Sequence, residues 1–231
     1  MEPSVVYADE EVLVVHKPPG ILAAPGGNES IPDVLEMLRD PWGPLWVVQR
    51  LDRQASGALL LARTPEARRT LRKAFEAGEV KWIFHALVRG NPPWAERMVT
   101  LPLRVNVGRR KRSVPDPRQG KPARTAVRVI ERFGSHALVE VRPITWRRHQ
   151  IRAHLFALGH PIAGDPLYGP GLLPQDPLPF LALHARRVIF PHPATGHQRR
   201  VTVAYPSLWE AALDALRWEK ALVDTKDRDK R

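Results

Sequence analysis

A single acidic side chain, Asp52, is the first candidate for chemistry in this chain of 231 residues. It lies between Arg50 and Arg53, just before a Ser-Gly turn and an apolar run rich in leucine. Nearby cations favour the ionised form of a carboxylate, so Asp52 would be ready to act as a nucleophile or a base near neutral pH. The same pattern is also typical of a structural ion pair at the start of a strand. The local sequence leaves both interpretations open.

Other kinds of reactive site are not supported by the sequence. The chain has no cysteine, which excludes disulfides, thiolate metal sites and a cysteine nucleophile. His149 and His154 are spaced five apart, and no HExxH motif is present, so no metal site is expected. No Walker or dinucleotide fingerprint occurs, and we expect no nucleotide cofactor. Ser56 lacks a G-x-S-x-G frame and is interpreted as a turn residue that bonds its own backbone.

The charge of the chain indicates a polyanionic partner. Lys and Arg number 36 against 24 Asp and Glu, which gives a net charge of +12. Such an excess favours binding to nucleic acid first and to an anionic membrane second, although a merely solvated basic surface has the same composition. Residues 104–124 hold eight of these cations and one acid. We expect this segment to be a mobile basic loop that grips phosphates through Arg109, Arg110, Lys111 and Arg112.

The elements that must position these groups follow from periodicity and turn residues. Strands are predicted in the first 17 residues, around Asp52, at residues 80–90, in a pair around Gly134, and at residues 180–190 and 199–206. Helices are predicted at 30–40 with Ser30 as cap, after Thr64, at 147–158 and at 207–222. Short strands outnumber helices without regular βαβ alternation, which indicates an α+β fold around a largely antiparallel sheet.

One catalytic domain is expected over residues 1–222, followed by a frayed, charged tail at 223–231. The N-terminus is acidic where a signal peptide would be basic, and no run approaches the roughly 18 apolar residues of a membrane span. We therefore expect a soluble, cytoplasmic protein that does not bind membranes and is a monomer.

Four ordered motifs resemble those of the RluA-type pseudouridine synthases. Residues 49–63, "QRLDRQASGALLLAR", are similar to the family signature H-R-L-D-x-x-T-S-G-L-L-L-x-A-R. Residues 9–26, 147–169 and 181–196 match the family's K-P-x-G, H-Q-I-R and L-H-A segments in the same order. The resemblance covers about residues 5–206. It implies the pseudouridine-synthase fold, in which a mixed, largely antiparallel central sheet is flanked by helices and crossed by a central catalytic cleft.

The resemblance also implies roles for individual residues. Asp52 corresponds to the catalytic carboxylate that isomerises a flipped-out uridine in RNA, and Arg152 to its cationic partner. The family uses neither a metal nor an organic cofactor. RNA would be contacted by Phe84, which corresponds to an aromatic that stacks on the base, by Arg50 and Arg53, by the basic loop, and by the residues opening the predicted helix. The last group is Arg147, Arg148, His149 and Gln150, for which an exposed polar helix start is the alternative.

This chain departs from the family pattern at several positions. Gln49 replaces a histidine, Ala55 a threonine and Phe84 a tyrosine, while Trp82 and Trp146 replace a lysine and a glycine. Phenylalanine can stack but has no hydroxyl. We also expect no S4-type RNA-binding module. Because Asp52 and Arg152 are both retained, an active enzyme for ribosomal RNA, first of all from the large subunit, or for transfer RNA is favoured. A non-catalytic RNA-binding or chaperone protein on the same fold is the alternative, and a DNA-binding protein the weaker third.

Overall fold

A computed structural model describes residues 2–26 and 33–228 of the chain. They fold as two compact units that alternate along the sequence. Unit 1 comprises Met1–Phe84 and Leu183–Ala204, and unit 2 comprises His85–Ala182 and Tyr205–Arg231. The boundary between residues 84 and 85 falls inside a strand, which explains why no linker is visible in the sequence. The single domain over residues 1–222 stays a prediction.

The strands and helices follow in chain order. The strands are β1 (Ser4–Ala8), β2 (Val12–Lys17), β3 (Trp46–Val47), β4 (Ser56–Ala62), β5 (Lys81–Arg89), β6 (Glu96–Val99), β7 (Leu103–Val107), β8 (Arg112–Pro115), β9 (Thr125–Arg132), β10 (His136–Pro143), β11 (Leu183–Pro191) and β12 (Gln198–Thr202). The helices are α1 (Val34–Met37), α2 (Arg39–Trp42), α3 (Pro65–Glu76), α4 (Gln150–Ala157) and α5 (Ser207–Arg228). The predicted α+β class with mostly antiparallel strands is confirmed.

Strand β4 lies at the centre of unit 1. All seven of its residues are buried, as its continuous apolar run predicts. It pairs antiparallel with β2 and β3 and parallel with β11, where Ala185 lies opposite Gly57. Gly57 has a φ of +107°, and a Cβ built there would lie 2.4 Å from the carbonyl oxygen of Ala185. Glycine is therefore required for the backbones to approach one another.

Two helices of unit 1, α1 and α3, begin with side-chain caps. The Thr64 hydroxyl accepts from the amide of Ala67, and the chain leaves α3 at Gly78 with a φ of +76°, as predicted. The predicted cap Ser30 lies outside the described residues. Instead, Asp33 caps α1 by accepting from the amides of Leu35 and Glu36 at 2.9 and 3.1 Å.

In unit 2 the predicted antiparallel pair around Gly134 is confirmed as β9 and β10. Helix α4 begins at Gln150, so the predicted start at residue 147 is wrong. The reason is that His149 has a left-handed backbone with a φ of 52°, which separates residues 147–149 from the helix. The end of the helix before Gly159, where φ is +80°, agrees with the prediction.

Two segments that were expected to lack regular structure contain it. The basic segment 104–124 contains the hairpin of β7 and β8, held by main-chain pairs such as Leu103 with Pro115. Helix α5 continues to Arg228, so residues 223–228 are helical rather than frayed, and residues 229–231 lie outside the described part. The Thr225 hydroxyl donates to the carbonyl of Ala221 within that last stretch. None of the helices in the described part combines the length and apolar composition of a membrane span.

Candidate active site

Asp52 lies on a tight turn that leads directly into β4. The amide of Ala55 donates to the carbonyl of Asp52 at 3.1 Å, and the strand begins one residue later. The Asp52 side chain is half-buried, while Arg50 and Arg53 on either side are exposed. A partly accessible carboxylate on a turn anchored by a fully buried strand combines fixed position with access for a substrate.

A buried lysine holds this turn in place, and the sequence reasoning missed it. The Lys17 side chain is 0% exposed, and its Nζ donates to the carbonyls of Pro18, Ile21 and Arg53 at 2.9, 3.0 and 3.0 Å. The Arg53 carbonyl also accepts from the amide of Gly20 at 2.9 Å. The residue after Asp52 is thus fastened to the Pro-Pro-Gly segment. Because lysines are almost never fully buried, only the K-P-x-G motif could have signalled this role.

The charge of the same lysine is affected by its burial. Burial lowers the pKa of Lys17 to about 7, and the negative charge of Asp52 opposes that shift. His16, the preceding residue, has its pKa lowered by burial and by the charge of Lys17. Asp52 therefore lies near an amine that is only partly protonated around pH 7.

A second buried polar contact supports the start of β4. Oγ of Ser56 lies 2.9 Å from Nδ1 of His184 on β11, and both side chains are buried. The His184 ring packs edge to face with His16 at 5.7 Å between centroids. Ser56 thus bonds a partner 128 residues away rather than only its own backbone. The pairing ties the first residue of β4 to the parallel neighbour strand.

Arg152 forms a buried ion pair within unit 2. Its Nε and Nη2 donate to Oδ2 and Oδ1 of Asp165 at 2.8 and 2.7 Å, with side-chain exposures of 5% and 0%. The Arg152 guanidinium also lies over the Tyr168 ring, 5.2 Å from its centroid. Asp52 belongs to unit 1, so its pairing with Arg152 stays a prediction. Asp165 and Tyr168 were missed as site residues, although both lie in the sequence "GDPLYG" at the end of the segment 147–169 that resembles the family.

The residues before α4 are placed differently from one another. Arg148 is exposed, while Arg147 and His149 are half-buried. Gln150 is buried, and its Nε2 donates to the carbonyl of Arg124 and to the hydroxyl of Thr125, each at 2.9 Å. Both amide hydrogens of Gln150 are used inside the fold, so a direct phosphate contact by its side chain is not supported.

Phe84 lies on β5 and is 3% exposed. A ring this buried offers little surface to a nucleobase, so its stacking role stays a prediction that requires neighbouring side chains to move. Trp82, which replaces the family lysine, is also buried and donates from Nε1 to the carbonyl of Ala58 at 3.2 Å. The indole thus takes a structural place in unit 1.

The positive charge is concentrated in residues 85–182, which contain 16 Lys and Arg against 6 Asp and Glu. Within them, four consecutive cations occupy the tip of the β7–β8 hairpin, and all four are exposed: Arg109, Arg110, Lys111 and Arg112. Exposed cations at a hairpin tip can reach the phosphates of a nucleic acid directly. Over the described residues, no group of three or more histidine or carboxylate side chains could hold a metal ion.

Comparison with known proteins agrees with this fold and identifies its family. The family described as RNA pseudouridylate synthase matches residues 11–157. The dual-specificity RNA pseudouridine synthase RluA of Salmonella typhi is 38% identical over 196 residues, which cover 84% of this chain and 89% of that protein. The ribosomal large subunit pseudouridine synthase C of Pasteurella multocida is 36% identical over 228 residues, covering 96% and 70%.

Solved structures show the same relationship. Human RNA Pseudouridylate Synthase Domain Containing 1 has a TM-score of 0.77 and 27% identity, covering 91% of this chain and 86% of that one. Human RNA Pseudouridylate Synthase Domain Containing 4 has a TM-score of 0.76 and 25% identity. The chain belongs to the RNA pseudouridylate synthase family. It is an isomerase that forms pseudouridine in RNA, which favours the enzyme over the non-catalytic alternative.

Proposed function

We propose that this enzyme isomerises specific uridines of structured RNA through Asp52. The observation that carries the proposal is the position of this carboxylate. It is half-buried on a turn that is held by the hydrogen bond from Nζ of Lys17 to the carbonyl of Arg53. Large-subunit ribosomal RNA is the first substrate to test and transfer RNA the second. The relative named for the ribosomal large subunit supports the first of these choices.

The reaction exchanges one bond of the nucleoside for another. The bond between N1 of the base and C1′ of the sugar breaks, the base turns, and C5 joins C1′. The C5 hydrogen leaves as a proton and N1 gains one, so the composition is unchanged. An ionised Asp52 can attack the sugar or the base, or remove a proton in an elimination route. Since the glycosidic bond is hidden in stacked RNA, the uridine must first be extruded.

RNA binding is assigned to the cations around this carboxylate and to the hairpin tip. Arg50 and Arg53 are exposed beside Asp52, where they can contact phosphates next to the extruded nucleotide. Arg152 is proposed as the cationic partner of the aspartate, and its ion pair with Asp165 would hold the guanidinium plane fixed. Arg148 would add an exposed contact before α4.

The catalytic role is tested by release of tritium from C5-labelled uridine in ribosomal and transfer RNA. We expect wild type to release it and Asp52→Asn, which keeps the shape of the side chain, to release none. Asp40→Asn changes an exposed carboxylate of unit 1 and should match wild type. Full release by the Asp52 variant would remove this residue from the chemistry, and inactivity of wild type on both RNAs would refute the proposed targets.

The hairpin is tested by replacing Arg109, Arg110, Lys111 and Arg112 together by alanine. We expect weaker RNA binding and a shallower dependence of log affinity on log salt, by up to roughly 0.7–0.9 for each phosphate that these four side chains neutralise in wild type. An unchanged slope would exclude the hairpin from the interface. Mapping pseudouridines in a deletion strain against its parent would then identify the modified position.

A further inference from the structure

The basic hairpin is attached to the segment that carries Arg152 through one residue of β8. Ser113 is 1% exposed, and its amide donates to the phenolic oxygen of Tyr168 at 2.6 Å. Its hydroxyl donates to the carbonyl of Arg148, two residues before α4 begins. Both polar groups of Ser113 therefore hold the hairpin base against the start of α4 and the loop after it.

Tyr168 contacts the same region from the other side. Its phenolic oxygen lies 3.3 Å from Nδ1 of His149, and the two rings meet edge to face at 5.8 Å between centroids. His149 is the residue with the left-handed backbone that immediately precedes α4. The phenol thus contacts the hairpin and the residue that sets where the helix starts.

The ring of Tyr168 contacts the arginine itself. The Arg152 guanidinium lies over it at 5.2 Å, and Asp165 binds two guanidinium nitrogens from a separate direction. Oδ1 of Asp165 also accepts from the amide of Tyr168 at 3.0 Å. The Arg152 guanidinium is therefore fixed by the aromatic face together with the in-plane carboxylate pair.

We propose that Tyr168 is a positioning residue with two separable parts, the hydroxyl for the RNA-binding hairpin and the ring for Arg152. The inference rests on the proposed roles of the hairpin and of Arg152. The hydroxyl fixes where the four hairpin cations lie relative to α4, which governs how RNA is held. The ring fixes the orientation of the guanidinium, which governs the chemical step. Removal of each part then has a different kinetic signature.

The experiment compares Tyr168→Phe and Tyr168→Leu in the full chain, using tritium release from the RNA that wild type modifies. Phenylalanine keeps the ring and deprives the buried Ser113 amide of its acceptor, so KM should rise roughly tenfold with kcat within about twofold of wild type. Leucine also removes the aromatic face, so kcat should fall by a further factor of about ten. Tyr7→Phe removes the hydroxyl of a tyrosine in unit 1 and should leave both KM and kcat unchanged.

A second variant keeps the test decisive if Tyr168→Leu fails to fold. Ser113→Ala removes the bond to the Arg148 carbonyl, and it should raise KM in the same way as Tyr168→Phe, with little change in kcat. Wild-type KM in both of these variants would overturn the proposal. So would a folded Tyr168→Leu variant whose kcat matches that of wild type.

The quadruple alanine variant of the hairpin separates this inference from the proposed function. If that variant binds RNA less tightly while Tyr168→Phe and Ser113→Ala behave as wild type, only the positioning role fails. If the quadruple variant binds RNA normally with an unchanged salt slope, the hairpin itself is not an RNA contact. The inference then fails together with the premise on which it rests.

Discussion

Replacing Lys17 by methionine tests whether a buried amine holds the catalytic turn. The pKa of Lys17 is lowered from 10.5 to about 7 by burial, so the folded state binds this proton less tightly than the unfolded state does. Stability therefore rises with pH between these two values, and the penalty is greatest below pH 7. From pH 7 to pH 9 this one group should add about 2 kcal/mol to the free energy of unfolding of wild type.

Methionine keeps the length of the side chain but neither titrates nor donates. The carbonyls of Pro18 and Ile21 lose a donor, at a cost of roughly 1–3 kcal/mol for each that stays buried and unpaired. Relief of the buried charge offsets part of this cost at low pH. Lys17→Met should therefore be destabilising at pH 9, and less so at pH 7 by about 2 kcal/mol.

The assay is urea unfolding followed by tryptophan fluorescence, at pH steps from 6 to 9.5. The quantity to plot is the difference in unfolding free energy between wild type and Lys17→Met, which cancels other titrating groups. Lys73→Met, at an exposed position on α3, is the control, and its free energy of unfolding should change with pH in the same way as that of wild type. A pH-independent difference for Lys17→Met would show that this amine does not carry a lowered pKa.

Two further predictions concern the buried ion pair and the glycine of β4. Asp165→Asn leaves the buried Arg152 without its anionic partner and should lower the free energy of unfolding, measured in urea, by roughly 3–5 kcal/mol. Asp214→Asn breaks an exposed ion pair on a helix and should lower it by at most about 0.5 kcal/mol. Similar losses of unfolding free energy for Asp165→Asn and Asp214→Asn would show that burial does not determine what these ion pairs contribute to stability. Gly57→Ala should lower the free energy of unfolding by roughly 3 kcal/mol or more, because the added Cβ would meet the Ala185 backbone. Gly78→Ala has open space around the added Cβ and should lower it by only about 1–2 kcal/mol in the same assay. Equal losses would mean that the β4 and β11 backbones are not in close contact.

Sequence patterns predicted the parts of the fold that local chemistry determines. The continuous Leu run of β4, the Thr64 cap and the turn at Gly134 each depend on neighbouring residues, so they could be identified. The position of Asp52 before a buried strand and the motif resemblance led to the site. The start of α4 could not be predicted, because it depends on the left-handed backbone of His149, which no short pattern encodes.

Other features depend on contacts distant in sequence. The role of Lys17 depends on a carbonyl 36 residues away, and that of Ser56 on a histidine 128 residues away. The basic segment has the composition of a mobile loop, yet Leu103 and Ser113 within its two strands are buried and fix it as a hairpin. Burial of these side chains depends on contacts with distant residues, whereas their sequence neighbours are polar or charged. The local sequence therefore did not indicate a hairpin.

The alternation of the two units along the chain has a consequence for synthesis on the ribosome. Strand β4 is translated early, but β11, its parallel neighbour, begins only at residue 183. The nascent chain must therefore carry an unfinished apolar strand edge while the 120 intervening residues, 63–182, emerge. Parallel partners that are far apart in sequence form late. A chain terminated anywhere before β11 thus lacks a strand of unit 1, and even a fragment of residues 1–182 contains neither unit in full.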